Sequence, residues 1–327
     1  MLAACGTDGG TTDAPDGTDD GAAEAPDELI IGFVPSREAD ALVEDIEPIA
    51  DYLSEALDIP VTGFVSSDYT GLVTAMESDR AHIGAFNPLG LLQAVERADA
   101  EIILQSERFG SGTYHTQFFT NDPDTFCTDE PEENTRMVDD EEVTYLNCNG
   151  TARAFDESPQ GPIGIEALAN VEAGSTVSFV ELSSASGYIF PATIFATAGI
   201  DPETGIEPFF ANSHENSVVT VCEGDAVVGV SFDDARTEVG DLSDCDVANE
   251  VVVFAYGPEI PNDGIAVAGS LPDDLKEEIK QALLDYAESE EGQAVLGEIY
   301  NITAFTEPNL ESLEIVRNAV DELGLGQ

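Results

Sequence analysis

The sequence predicts a two-lobed α/β protein, each lobe a mixed, mainly parallel sheet flanked by helices, with two crossovers joining the lobes. Three observations predict it. Short apolar, β-branched runs alternate with amphipathic helical stretches from Glu28 onward, the rhythm of strand–helix–strand units. A chain of 327 residues is long enough to bury two cores. A late stretch, "EVVVFAYGPEIPNDGIAV", reads as a strand returning to the first unit after a second has been built.

In order, "ELIIGFVPS" is a buried strand ending in a proline turn, and "ALVEDIEPIADYLSEAL" is an amphipathic helix. The strand "IPVTGFV", helix "YTGLVTAMES", strand "AHIGAF", helix "PLGLLQAVERA" and strand "EIILQSE" complete the first unit. The second begins at "TYHTQFFTN", is interrupted by an acidic, cysteine-bearing insertion from about Asp122 to Gln160, and resumes as helix "IGIEALANV" and strand "TVSFVE". Strand "IEPFFAN", helix "HENSVVTVCEG" and strand "DAVVGVSF" follow. After the returning strand come helices "PDDLKEEIKQALLDYAES", "EGQAVLGEIY" and "LESLEIVRNAVDEL". The expected division is 28–113 with 257–327 for lobe 1 and 114–256 for lobe 2, and the cleft between lobes is where a small ligand is expected.

Composition narrows the partners. The formal charge is −57, from 67 acidic and 10 basic residues, so a phosphate backbone is repelled and nucleic acid is excluded as a default partner. A small ligand is expected instead. Such acidity self-repels and is relieved where the screening length shrinks to about 3 Å at 1 M salt, which points to a salt-adapted protein. The 42% hydrophobic content argues against a disordered acidic chain.

"MLAAC" has the Leu-Ala-Ala-Cys order of a bacterial lipoprotein cleavage box, which makes Cys5 the expected lipidated residue; the basic and apolar regions of a leader are missing upstream, so the expectation is a truncated start. The Gly/Thr/Asp/Pro tract that completes residues 1–27 suits a flexible tether. The remaining cysteines, Cys127, Cys148, Cys222 and Cys245, lack the two-residue spacing of zinc sites. Four allow three pairings; sequence proximity favours Cys127 with Cys148 and Cys222 with Cys245. No metal or cofactor is expected.

The stretch "ELSSASGYIFPATIF" places Ser183, Ser184, Ala185, Ser186 and Gly187 directly after a strand. Pro191 is tolerated only in a first helical turn, so the helix is expected to begin near Gly187 or Tyr188. Unpaired amides from Ser184 to Ile189, with the helix dipole, then make an anion site that needs no arginine, and Gly187 lets backbone approach a ligand. An ordinary serine N-cap is the plainer reading, but three serines and a glycine exceed what a cap needs. At "FFANSHENSVV", Asn212, Ser213 and His214 precede another helix; His214 is either a neighbour of the cap or a donor to an anion, best when protonated.

On these stretches, together with "IGFVPS", "DYTGLVTAM", "AHIGAFNPLGLLQA" and "YGPEIPNDG", the chain resembles the phosphonate, phosphite and phosphate substrate-binding lipoproteins of ABC importers. That family is a branch of the type II periplasmic binding proteins, and the resemblance runs from Leu29 to about Leu323. It implies that Ser184, Ala185, Ser186 and Gly187 match the turn that grips the phosphonate oxygens, with one hydroxyl lost at Ala185. It implies that His214 matches the family's histidine, with Asn212 in place of a glycine, and that Tyr69 and Tyr114 hydrogen-bond the anion. Asp263 matches a carboxylate that can hold a ligand amine, and the nearest candidates for a second one are Asp233 and Asp234.

Each has a plainer reading. Tyrosines are usually core aromatics with wet hydroxyls, although Tyr69 before a helix and Tyr114 at a crossover favour the cleft. Asp263 follows Pro261 and Asn262 in turn chemistry, which leaves a turn aspartate and a ligand group equally open. His82 lies in a strand pattern and reads as structural; His115 is less readable.

No G-x-S-x-G elbow, H-E-x-x-H helix or Walker loop is present. Ser186 with His214 as nucleophile and base lacks an obvious third member, so an enzyme is not expected. The expectation is an extracytoplasmic, lipid-anchored monomer that captures a phosphorus oxyanion and delivers it to an ABC permease. Another small ligand, such as a sulfonate, sulfate or a thiamine-like compound, is the alternative.

Overall fold

A computed structural model describes residues 25–36, 39–138, 141–153 and 161–325. Cys5 and nearly all of the expected tether lie outside the described residues, as does part of the acidic insertion. In chain order the strands are β1 (Leu29–Phe33), β2 (Val61–Val65), β3 (Ile83–Phe86), β4 (Glu101–Glu107), β5 (Thr113–Thr120), β6 (Glu132–Val138), β7 (Glu141–Asn147), β8 (Thr176–Phe179), β9 (Glu207–Phe210), β10 (Val228–Phe232), β11 (Val252–Pro261), β12 (Gly264–Val267) and β13 (Ala304–Thr306).

They form two sheets, ordered β13-β4-β12-β3-β1-β2 and β6-β7-β11-β5-β10-β8-β9. Both are mixed. Parallel pairs arise where a helix carries the chain back over the sheet, as between β1, β2 and β3. Strands arriving from the other sheet run antiparallel: β5 against β10 and β11, and β12 against β3 and β4. The chain leaves the first sheet after Glu107, enters the second at Thr113, and returns between Pro261 and Gly264, a few residues beyond the expected 257.

The helices form where apolar spacing and caps agree. Asp68 accepts a hydrogen bond from the Gly71 amide at 2.7 Å and starts helix Tyr69–Glu77; Asn87 accepts from Gly90 at 2.9 Å and starts helix Pro88–Ala98. Helix Tyr69–Glu77 buries Leu72 and Val73, and β1 and β3 bury Leu29, Ile31 and Ile83. In the second sheet Phe118, Phe179 and Phe254 are buried, and the first two meet Phe195 edge-on at 5.9 and 6.1 Å. Full burial of each such side chain is worth about 1.5–3 kcal/mol.

The described part of the insertion is structured. A short helix, Pro123–Phe126, precedes a hairpin of β6 and β7, and β7 joins the second sheet in parallel with β11. Disulfides tie Cys127 to Cys148 and Cys222 to Cys245, with Cα atoms 5.5 and 6.1 Å apart. These are the neighbouring pairs. His82 has a structural role: its Nδ1 accepts the Ile30 amide at 3.0 Å, joining β1 to the turn before β3.

Candidate functional site

The serine-rich stretch forms one wide helical turn before helix Phe190–Thr197. Ser184 ends the extended backbone and caps the turn, its Oγ accepting from the Gly187 amide at 3.1 Å. Its carbonyl takes the Tyr188 and Ile189 amides, both at 3.0 Å, and the Phe190 amide reaches back five residues to the Ala185 carbonyl. This wide turn accommodates Pro191. The carbonyls it leaves without helical donors are satisfied elsewhere: Thr116 Oγ1 donates to Ser186 O and the Val180 amide to Gly187 O, each at 3.1 Å.

The expected row of free amides from Ser184 to Ile189 is therefore corrected. Gly187, Tyr188 and Ile189 are taken by Ser184, and the Ser184 amide donates to Glu181 O at 2.9 Å. Among the described residues the Ala185 amide has no acceptor in the chain, and the Ser186 amide and hydroxyl lie beside the Tyr114 phenol. Gly187 is corrected too. It does not line the cavity; a Cβ there would sit 2.5 Å from Val180 Cβ and 2.7 Å from Ser184 Oγ, so glycine is required by the packing of the turn on the strand end.

Ser184, Ala185 and Ser186 open into a cavity of about 210 Å3 that is also lined by Tyr69, Tyr114, His214 and Asp263. Tyr69 is the first residue of its helix, and Tyr114 lies near the start of β5. Both phenols are held well above their ordinary pKa, by burial first and with the nearby Asp263 carboxylate adding to it, so they remain hydrogen-bond donors.

His214 opens helix His214–Cys222, which Ser213 caps by accepting from the Asn216 amide at 3.2 Å. Asn212 stands at φ 68°, the left-handed region that glycine and asparagine fill with little strain. Imidazole Nδ1 meets Ser231 Oγ at 2.7 Å, and burial, with Arg108 nearby, pulls the ring's pKa down to about 3. Near neutrality this keeps the ring in its neutral form, not the protonated one that an anion donor was expected to use.

Two arginines share the cavity wall, and sequence reasoning missed both. Arg108, just past β4, donates Nη2 to Asp263 Oδ2 at 2.5 Å, Nε to the Tyr300 carbonyl at 2.6 Å and Nη1 to Asn262 Oδ1 at 3.3 Å. The Asp263 carboxylate is thus engaged by a cation of its own chain. Arg136, on β6 of the acidic insertion, lies 3.4 Å from Asp233 and 3.6 Å from Asp234.

Behind them Arg236 is fully buried. It uses all five N–H donors, on both Asp234 oxygens, Asn147 Oδ1 and the Leu146 and Val251 carbonyls, at 2.7 to 2.9 Å. Burial raises the Asp234 carboxyl, but Arg236 and Arg136 outweigh it and bring its pKa to about 2; for Asp233 burial wins and the carboxyl is raised. The signal that would have found Arg108 and Arg136 is scarcity: with 10 basic residues in 327, each position asks for a reason.

Two hydrogen bonds span the sheets at this cavity. Asn87, following β3, donates to the Ser183 carbonyl at 2.7 Å, and Asn301, following helix Glu290–Tyr300, donates to Glu238 Oε1 at 3.1 Å. The cavity is thus lined both by neutral donors and by carboxylates already engaged within the chain.

Over residues 31–313 the chain matches the family described as ABC transporter, phosphonate, periplasmic substrate-binding protein. Among solved structures it is similar to a binding protein component of an ABC phosphonate transporter from Pseudomonas aeruginosa, with 19% identity, TM-score 0.71, and 92% of this chain and 87% of that one covered. A methylphosphonate complex of a protein called PhnD1 from Prochlorococcus marinus gives 16% identity, TM-score 0.70, and coverage of 91% and 99%. The periplasmic aliphatic sulphonate binding protein of Escherichia coli gives 12% identity, TM-score 0.53, and coverage of 91% and 86%. The fold is that of the two-lobed type II periplasmic binding proteins.

Proposed function

The chain belongs to the periplasmic substrate-binding proteins of ABC phosphonate transporters, a family of binding proteins and not of enzymes, and we propose that its ligand is a small phosphorus oxyanion, a phosphonate or phosphite. Its oxygens would be held by the Ala185 and Ser186 amides, the Ser184 and Ser186 hydroxyls, Tyr69, Tyr114 and neutral His214, with Asp263 at the edge of the site. One observation carries the reading: helix-mouth amides, serine hydroxyls, two phenols and an imidazole all line one cavity of about 210 Å3. Hydrogen bonds to an anion in such a place are charge-assisted and roughly twice as strong as neutral ones. A permease is the partner that the family implies, and we read the protein as a monomer tethered through a lipid on Cys5. Its acidic surface we read as an adaptation to a salt-rich medium.

Titration calorimetry with phosphite, methylphosphonate, phosphate, sulfate and methanesulfonate tests the ligand. Saturable binding of phosphite or methylphosphonate, with sulfate and methanesulfonate at least about tenfold weaker, a step of about 1.4 kcal/mol, is the expected result. Binding of the sulfur anions alone, or of none of the five, overturns the proposal.

A further inference from the structure

Four carboxylates face the cavity, Asp233, Asp234, Glu238 and Asp263, and each already has a partner in the chain. Asp263 holds Arg108, Asp233 and Asp234 share Arg136 with Arg236 behind, and Glu238 accepts from Asn301. The pair that matters most for a ligand is Arg108–Asp263. Asp263 lines the same cavity as Tyr69, Tyr114 and the serine turn, and its partner Arg108 lies against Tyr114. Arg108 is pinned there from three sides by Asp263, Asn262 and the Tyr300 carbonyl, with its guanidinium 5.7 Å from the Tyr114 ring centroid.

We propose that Arg108 sets the specificity of this cavity: by engaging Asp263 it takes up a carboxylate that an amine would otherwise pair with and puts a fixed positive charge there, so that phosphorus anions with an uncharged tail, or none, are taken and amine-bearing ones are rejected. This rests on the oxyanion reading above. With the phosphorus group at the serine turn, an ammonium one or two carbons away that seeks Asp263 must either displace Arg108 from three partners or be buried against a like charge. Both outcomes cost affinity that an alkyl group of the same shape does not lose. The guanidinium also adds an unchanging positive charge to the anion end, which the amides and hydroxyls supply only as dipoles.

Isosteric pairs test it by calorimetry: ethylphosphonate against aminomethylphosphonate, and propylphosphonate against 2-aminoethylphosphonate, with phosphite as reference. The wild-type protein is expected to bind each alkyl member at least about tenfold tighter than its amine partner, the lower end of what like-charge juxtaposition costs. Arg108→Met frees Asp263 and should shift the ratio by about tenfold or more towards the amines, whereas Arg108→Lys keeps it. Circular dichroism establishes that the variants are folded. If Arg108→Met does not fold, Asp263→Asn serves: the guanidinium remains, and the alkyl preference must persist or grow. Amines bound as tightly as their isosteres by the wild type, a ratio unmoved in folded Arg108→Met, or a preference lost in Asp263→Asn would each overturn the inference while phosphite still binds. Failure to bind phosphite and every phosphonate removes the reading on which it rests.

Discussion

His214 makes the stability of this protein sensitive to mild acid in a calculable way. Its ring is buried on Ser231 Oγ at 2.7 Å and lies against Phe232 with centroids 4.7 Å apart, and its pKa falls to about 3. In the unfolded chain a histidine titrates near 6.5. Above that value both states hold a neutral ring, and the folded state loses nothing. As pH falls from about 6.5 towards 3, the unfolded chain binds a proton that the folded one refuses, so stability falls with pH by about 1.4 kcal/mol per unit. By about pH 5 this single group removes about 2 kcal/mol, a large share of the stability of an ordinary domain. Urea unfolding of the wild type and of His214→Asn, at several pH values between about 7 and 5 and at one high salt concentration, isolates the term. Other shifted acids and histidines, among them His82 and His115 (both lowered) and Asp233 and Glu181 (both raised), are common to both proteins and largely cancel in the difference. The wild type should lose about 2 kcal/mol more than the variant over that interval. Parallel pH profiles for the two proteins would refute the argument that burial keeps this ring neutral.

Ser184→Ala removes the cap on Gly187 and a hydroxyl from the anion end. It should destabilise the fold by about 1 kcal/mol and weaken phosphite or methylphosphonate binding by about tenfold or more, since a hydrogen bond to a charged group contributes roughly 1.5–3 kcal/mol; unchanged affinity in calorimetry would take Ser184 out of the site. Arg236→Leu leaves the buried Asp234 carboxylate with Arg136, at 3.6 Å, as its cationic partner and takes a donor from each of three carbonyl acceptors, at a cost of about 3–5 kcal/mol in urea unfolding. Adding Asp234→Asn should recover part of that loss, and strict additivity of the two changes would show that the pair is not coupled.

The elements that could be read in the sequence are those whose inward faces are apolar. β1, β3, β8 and β10 bury leucine, isoleucine, valine and phenylalanine, so length and composition gave their positions to within a few residues. β6 escaped because its inward residues are Asn134 and Arg136, buried to 2% and 6% exposure, so that its pattern is polar on both faces. β13, of three residues, is too short to carry a period. The same distinction holds at the site. A helix mouth is local, and Ser184 reaches Gly187 three residues on. An ion pair is not: Arg108 meets Asp263 across 155 positions, and Arg136 meets Asp233 across 97. Only the sheet order brings such partners together, and no spacing rule announces them.

That placement resolves an apparent conflict between a chain of charge −57 and a site for anions. At long range the surface repels, but exposed charges separated by more than about 10 Å are screened at 0.1 M salt, and by about 3 Å at 1 M. At short range the balance is local. Two of the 10 basic residues line the cavity, Arg236 binds its Asp234, and Arg153 lies 5.0 Å over the ring of Tyr256, whose hydroxyl donates to Asp233 at 3.3 Å. Three of the four acids that line the cavity, Asp233, Asp234 and Asp263, therefore have cations to compensate them, and the fourth, Glu238, accepts from the Asn301 side-chain amide. Had the few arginines been spread evenly over the surface, Asp233, Asp234 and Asp263 would stand uncompensated beside the anion, and the helix-mouth dipoles alone would have to overcome three full charges at close quarters. On the proposed reading, the concentration of cations around the cavity is what leaves the binding to neutral donors.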